Sequence, residues 1–526
     1  KKFITEKEKI MGSTLNGLMN IAQQSIYNNQ VALNVISNNI ANMNTKGYTR
    51  QQVEFAAIPG YRIFDWCANN GKVTPGQGAE ITGITNRRSE WLDNYYRGQN
   101  SANGYYDQIG GMLDNMENLL NDELSANGLQ KRFSDFFAAS QALSGDPTNN
   151  AYKIAFLNAA QDVADMLNNM SNTVNEYMNQ AVGTVGDPDS FESSLIKTNV
   201  DSLDSKLSQL AELNNQIAQN PNSNALKDQR DMLLDDISSM IPLTTTTNEN
   251  GTVNVIIDGQ TVVKGGEKRL TIEAVQGDDP NHPVKIQLKD SEGNIKNDDI
   301  SDTLGNCSLS AILQAGSGDS FGYKTLLNDL DKLASAFAQE MNRIQTQADA
   351  NGTPMYIGPD GTLVESTTPL FVTKDGTGNF TAGNIQINQA VIDDPTLVAT
   401  ARMDPTAADF DDKAVGNTGN MDQFNNLAKG KLTGLSISDP PGEGMSITDF
   451  ISGLVSKIGS GVDALKSAAD AQGSVLEQAA AQRDALYGVD LNEELADLIR
   501  YQRCYEASAR VFSTSNELMQ TILQMI

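Results

Sequence analysis

Residues 11–45 contain no Asp, Glu, Lys or Arg, yet they hold nine Asn and three Gln. Few folds can use such a stretch. Apolar or small residues recur at Leu15, Met19, Ala22, Ile26, Leu33, Ile36, Ile40 and Met43, with Asn29 on the same line. Their gaps of three and four predict one stripe along a long helix. Thr45, Gly47 and Tyr48 close it, since a glycine just past the last periodic residue is a usual helix stop. The far end repeats the pattern through Leu491, Leu495, Leu498, Gln502, Tyr505, Ala509, Phe512, Asn516, Met519, Leu523 and Ile526. Proline is absent from 1–58 and from 442–526, so both terminal helices can run long.

Two core helices of a bundle would show the same spacing, but two features point elsewhere. Asn is a poor helix former, so an Asn-rich helix without charged pairs is marginal alone. A helix exposed on a monomer also normally carries charge on its outer face. A helix surrounded by other chains fits better, because amides can hydrogen-bond across helices while charge is costly to desolvate. The termini are then expected to be loose in a monomer and to order on assembly.

The rest of the composition narrows the function. A length of 526 residues holds three or four units at about 150 residues each. Lys and Arg total 38 against 66 Asp and Glu, a net charge of −28, and no basic tract interrupts it. Nucleic acid and anionic membrane surfaces are therefore poor partners. No apolar run reaches the about 18 residues that a membrane span needs. His282 is the only histidine and lies in a DDPNHPV stretch that reads as a turn, so His-based catalysis and multi-His zinc sites have no material. Cys67, Cys307 and Cys504 are far apart and read as small buried residues. Phosphate-binding loops and dinucleotide, metalloprotease and EF-hand motifs are missing. Asp278-Asp279 and Asp393-Asp394 could serve a hydrolase, but each precedes proline and reads as a turn. Asp409, Asp411 and Asp412 could hold Ca²⁺, but read as a solvated loop. The expectation is a protein with no catalytic residues, no cofactor and no metal.

Between the ends the pattern is helical, then strand-like, then helical again. Ile109, Leu113, Met116, Leu120, Phe133, Phe136 and Phe137 predict helices over 88–144. Ala160, Val163, Leu167, Met170, Val174 and Tyr177 do so over 151–181, as do Leu203, Leu207, Leu210, Leu213 and Ile217 over 190–240. After Pro242 the period becomes two: Val253, Val255 and Ile257 alternate up to an Asp258-Gly259 turn, then Leu270, Ile272, Ala274, Val284, Ile286 and Leu288 follow. Leu326, Leu330, Leu333, Phe337, Met341 and Ile344 mark another helix, and 352–441 reads as a second β portion.

At Ser37-Asn38-Asn39-Ile40-Ala41-Asn42-Met43-Asn44-Thr45-Lys46-Gly47-Tyr48 the chain resembles the N-terminal signature of bacterial flagellar rod, hook and hook-associated proteins. Phe136-Phe137 with Gly145-Asp146-Pro147, the run from Lys227 to Asp235 and the run from Ala338 to Ile344 narrow this axial family to its hook-associated members. Gly488 to Glu494 and Tyr501 to Val511 agree closely with those that make the first layer of the hook–filament junction. The resemblance covers nearly all of 11–526 and is weakest over 246–306 and 352–441. Ser140 departs from it, where the family often has Trp.

The resemblance implies an extracellular structural protein, exported unfolded through the flagellar type III channel, that polymerises on the hook beneath a second junction protein (hook-associated protein 3) and the filament. Its implied partners are other copies of itself, the hook protein, that second junction protein and an export chaperone. The expected fold is mainly α with inserted β: paired terminal helices, a central helical bundle and outward β domains. Residues 1–10 read as an extension before Met11. Residues 11–62 form the N-terminal assembly helix, paired with 485–526. Residues 63–245, 307–351 and 442–484 form the bundle, and 246–306 with 352–441 form the outer β material. Candidate assembly residues are Leu15, Met19, Ile26, Leu33, Ile36, Asn38, Asn39, Ile40, Asn42 and Gly47, with Leu491, Leu495, Leu498, Tyr505, Phe512, Met519 and Leu523 at the other end. The implied chaperone covers Leu498, Tyr505, Phe512, Met519 and Leu523. Competing expectations are another axial protein (hook, distal rod or flagellin) and an acidic adhesin on a coiled-coil stalk.

Overall fold

The structure, a computed structural model, describes residues 2–59, 76–124, 128–279, 281–317, 322–346, 356–357, 363–364, 368–400, 418–432, 434–436 and 444–525. In chain order α1 (Lys2–Ala41) leads into β1 (Gln51–Ala57) and β2 (Ala79–Asn86). Then come α2 (Glu90–Leu124), α3 (Leu129–Gly145), α4 (Asn150–Val182), α5 (Pro188–Glu192), α6 (Leu195–Gln219) and α7 (Asn224–Met240). The strands β3 (Thr244–Thr247), β4 (Val253–Ile257), β5 (Gln260–Lys264) and β6 (Glu267–Lys268) form one sheet in that order. A second sheet joins β7 (Leu270–Asp279), β8 (His282–Asp290) and β9 (Ile295–Asn297). Helices α8 (Ser308–Gly316) and α9 (Tyr323–Gln345) follow, then β10 (Tyr356–Ile357), β11 (Leu363–Val364), β12 (Phe371–Thr373) and β13 (Ile385–Ile387) in two small hairpins. The chain closes with α10 (Gln389–Asp393), α11 (Gly419–Asn426), α12 (Ile447–Tyr487) and α13 (Leu491–Met525).

Packing divides the chain into two units. Unit 1 comprises residues 1–101, 203–271 and 473–526; unit 2 comprises 102–202 and 272–472. Both termini thus belong to one unit and the other is inserted between them. The β stretch expected as one piece over 246–306 is shared between the units, because the chain crosses within β7. Two further expectations are corrected. Residues 79–86, expected inside a helical bundle, are strand: Val53 faces Ile84 and Phe55 faces Ile81 across the β1–β2 hairpin. His282, expected in a turn, opens β8 with Nδ1 3.2 Å from Asp279 Oδ2.

The period-3.6 positions of the sequence build the core of unit 2. Ile109, Leu113, Met116, Leu167, Val174, Leu333 and Met341 are all buried. At its centre Phe136 meets Phe156 at 5.2 Å and Phe337 at 5.5 Å, Phe337 meets Phe371 at 5.3 Å, and Phe156 meets Phe424 at 5.5 Å between ring centroids. Edge-on and tilted pairs like these add about 0.5–1.5 kcal/mol each beyond the area they bury. The Asp258-Gly259 turn forms as expected, with φ of 48° and 70°, joining Ile257 to Gln260. Cys307 is buried at the N-terminus of α8, where burial pushes its thiol pKa up. Cys504, expected to be buried, is exposed on α13, and Cys67 lies outside the described residues. The described part of 352–441 holds short helices as well as strands. Asp409, Asp411 and Asp412 lie outside the described residues.

Candidate assembly interface

Within unit 1 the two terminal helices, α1 and α13, lie against each other. Their contact is lined with small and polar side chains. Ala22, Ala32, Val35, Ile36 and Asn39 are buried on α1, and Glu494 and Ser515 on α13. Ser25 Oγ and Ser508 Oγ hydrogen-bond across the pair at 2.8 Å. Near the end of α1, Ala32, Val35 and Val53 form a small core closed by Ile81, Ile84 and Tyr501.

Asn39 locks the turn that follows α1. Its side-chain amide is 1% exposed and makes four hydrogen bonds. Nδ2 donates to the Gln51 carbonyl at 3.0 Å and to Glu494 Oε2 at 3.1 Å. Oδ1 accepts from the Tyr48 hydroxyl at 2.7 Å and from the Gln51 N–H at 3.1 Å. The amide thus imitates one rung of a β ladder at the start of β1 and ties it to α13. Glu494, itself 1% exposed, also accepts from Arg50 Nε at 2.6 Å. A buried carboxylate is tolerable only when so paired. Burial of Tyr48, with Asp228 and Glu494 nearby, pushes its pKa up to about 12, so its hydroxyl stays a donor. Gly47 makes the bend: its φ is +80°, and a Cβ there would stand 2.3 Å from Met232 Sδ.

Behind this turn unit 1 buries an ion network. On α7, Asp228, Asp231 and Asp235 fall at spacings of three and four, which places them on one helical face. Arg88 reaches Asp231 at 3.0 Å and Asp228 at 3.1 Å; Arg97 reaches Asp235 at 3.0 Å and Asp231 at 3.4 Å. Arg230 contacts both oxygens of Asp231 at 3.0 Å, and Arg483 from α12 meets Asp235 at 2.7 Å. Thr49 N–H donates to Asp228 at 3.3 Å, connecting the network to the turn after α1. Burial alone would raise the Asp231 pKa, but Arg88, Arg230 and Arg97 overcome it and hold the carboxyl below its ordinary range. Burial wins at Asp93 and Asp228, whose pKa values are raised.

The candidate assembly residues fall into three groups. Ile36 and Asn39 are buried within the chain itself. Leu15, Met19, Ile26, Leu33, Ile40, Asn42, Gly47, Leu498, Phe512 and Met519 are half-buried. Asn38, Leu491, Leu495, Tyr505 and Leu523 are exposed, Leu523 at 66%. Arg50, Tyr48, Glu494 and the aspartate–arginine network were not singled out from the sequence as a site. The one available signal was that Tyr48, Glu494 and the run from Lys227 to Asp235 sit inside the segments that carried the resemblance.

Three family profiles match the chain. One described as the flagellar hook-associated protein FlgK helical domain covers residues 113–356. One described as flagella basal body rod protein covers 19–49, which is α1 with its locked turn. One described as the C-terminal part of flagellar basal body rod FlgEFG protein covers 486–525, which is α13. Flagellar hook-associated protein 1 of Bacillus subtilis (strain 168) is 28% identical, with 98% of each chain covered. The chain is thus similar to flagellar hook-associated protein 1 over nearly its whole length. The member from Salmonella typhimurium is 26% identical over 97% of this chain and 100% of its own, and that from Escherichia coli K12 is 25% identical with the same coverage. The flagellar hook junction protein FlgK from Burkholderia pseudomallei shares the fold, with a TM-score of 0.51 at 15% identity, over 75% of this chain and 100% of that one. The profiles that match most of α1 and all of α13 are those of rod proteins, which sets the terminal pair apart from the rest of the chain.

Proposed function

We propose that this chain is a structural subunit of the bacterial flagellum that polymerises at the hook–filament junction and joins hook to filament. The observation that carries this is the α1–α13 pair, locked internally by Asn39 and Glu494, which still leaves Leu491, Leu495 and Leu523 exposed. An apolar stripe left over after two helices have paired fits further copies or axial neighbours. The neighbours are the hook protein below and the second junction protein (hook-associated protein 3) above. The role needs no catalysis and no cofactor.

Export through the flagellar type III channel requires an unfolded chain, and an export chaperone would hold α13 until secretion. Leu498, Phe512 and Met519 are half-buried on this helix and alternate with its buried positions Glu494 and Ser515. A chaperone that takes this face competes with α1, so capture precedes folding of unit 1. The destination is the extracellular flagellum.

The deciding experiment is electron microscopy of a deletion strain with an assay for flagellin in the medium. Finished hooks without filaments, with flagellin lost to the medium, are expected. Normal filaments would overturn the reading, and missing hooks would move the protein down to the rod or hook.

A further inference from the structure

Charge and apolar exposure are divided unequally between the two units. Unit 1 carries 21 Lys and Arg against 24 Asp and Glu, a net of −3. The chain totals of 38 and 66 leave unit 2 with 17 against 42, a net of −25. Apolar exposure runs the other way. Of nineteen large hydrophobic side chains exposed among the described residues, twelve are in unit 1, including Trp91 at 71%, Tyr27 at 59%, Ile499 at 51% and Leu518 at 50%.

The two distributions have different consequences for a second copy. A protein–protein contact favours apolar and aromatic anchors at its desolvated centre, and unit 1 exposes more of these and carries little net charge to oppose a second copy. Two units of −25 brought side by side repel, and only dissolved ions weaken that repulsion. Its range is about 30 Å at 0.01 M salt and about 8 Å at 0.15 M. We infer that copies of this chain meet through unit 1, and that the negative charge of unit 2 repels the same unit of each neighbour, so that a layer of copies grows only when salt screens it. This rests on the self-association reading above. It adds what decides when association occurs.

The sign of the salt effect separates this from the usual charged interface. Contacts made by opposite charges weaken as salt rises. Here association strengthens. The test adds the purified full chain to isolated hooks across NaCl from about 0.01 to about 0.5 M, with bound chain per hook read by quantitative gel and electron microscopy. The concentration for half-saturation should fall about tenfold or more between about 0.01 and 0.15 M. A variant carrying Asp107→Asn, Glu292→Gln, Asp302→Asn, Asp393→Asn and Asp463→Asn, all exposed in unit 2, should bind at lower salt. A second variant carrying Glu90→Gln, Glu212→Gln, Asp236→Asn, Glu249→Gln and Glu267→Gln removes as many exposed charges from unit 1 and should leave the salt curve in place. Binding that ignores or weakens with salt overturns the inference, as does an equal shift by both variants. No binding at any salt overturns the junction reading itself and the inference with it.

Discussion

Asn39 shows how one residue can serve the fold in a way its type did not announce. In the sequence it is one of nine asparagines in a charge-free stretch, and its expected use was hydrogen bonding to other copies. In the structure all four of its bonds are internal, while exposed Asn38 and half-buried Asn42 bond to each other at 3.0 Å. Replacing Asn39 by Ala leaves the Gln51 backbone groups and part of the Glu494 carboxylate without partners. The expected loss is about 2–3 kcal/mol, read as a lower denaturant midpoint with an unchanged slope. An Ala variant as stable as the parent would mean that the amide cluster contributes nothing net. Ser140 is a contrasting case. It is fully buried, its hydroxyl has no partner among the described residues, and no structural reason for the choice is apparent.

At the scale of elements, the terminal helices are where the sequence pattern was nearly, but not entirely, right. The apolar stripe on α13 was read through Leu495, Gln502, Ala509, Asn516 and Leu523, alternating with Leu498, Tyr505, Phe512 and Met519. The buried or half-buried set keeps Leu498, Ala509, Phe512 and Met519 but takes Glu494, Tyr501 and Ser515, each one residue earlier, in place of Leu495, Gln502 and Asn516, and adds Ser508. The same offset puts Ala32 and Asn39 inward where Leu33 and Ile40 were expected. A stripe of alternating threes and fours fits two adjacent registers, and the one that wins brings Ser508 to Ser25, Glu494 to Asn39 and Tyr501 onto the Ala32–Val35–Val53 core. The larger Leu495 and Leu523 are thereby turned outward. Phe512→Asp puts a charge on the half-buried side of α13. It should abolish assembly of filaments while circular dichroism shows the helical bundle still folded; normal filaments on cells carrying it would refute the role given to this helix.

At the scale of the whole molecule, the Asp–Arg network sets how unit 1 responds to acid. Asp231 has a folded-state pKa below its ordinary value of about 4, so its stabilisation is complete above that value and is lost as pH falls through the lowered one. Asp93 and Asp228 have raised pKa values, so the cost of burying them charged is relieved as pH falls. They partly offset the loss at Asp231. Asp231→Asn should therefore cost about 3 kcal/mol at neutral pH, because it takes the carboxylate partner from buried Arg230 and one of the carboxylates shared by Arg88 and Arg97. It should also flatten the decline below pH of about 4. Thermal unfolding from neutral to acid pH measures both; a parallel decline in variant and parent would remove Asp231 from the account.

The sequence by itself determined the helices, their long uninterrupted run at each end, the pairing of those ends and the likeness to flagellar hook-associated proteins. These rest on local quantities: periodicity, missing prolines, missing charge and short signatures. Only the tertiary structure decided which of two adjacent registers faces inward, that residues 51–86 contain a hairpin, and that Glu494 and the Asp–Arg network are buried. The reason is physical. Hydrophobic period is written within a few turns of chain, whereas a buried polar group is tolerable only when it meets its partner. Those partners can lie 455 residues apart, as Asn39 and Glu494 do, and no local pattern records such a meeting.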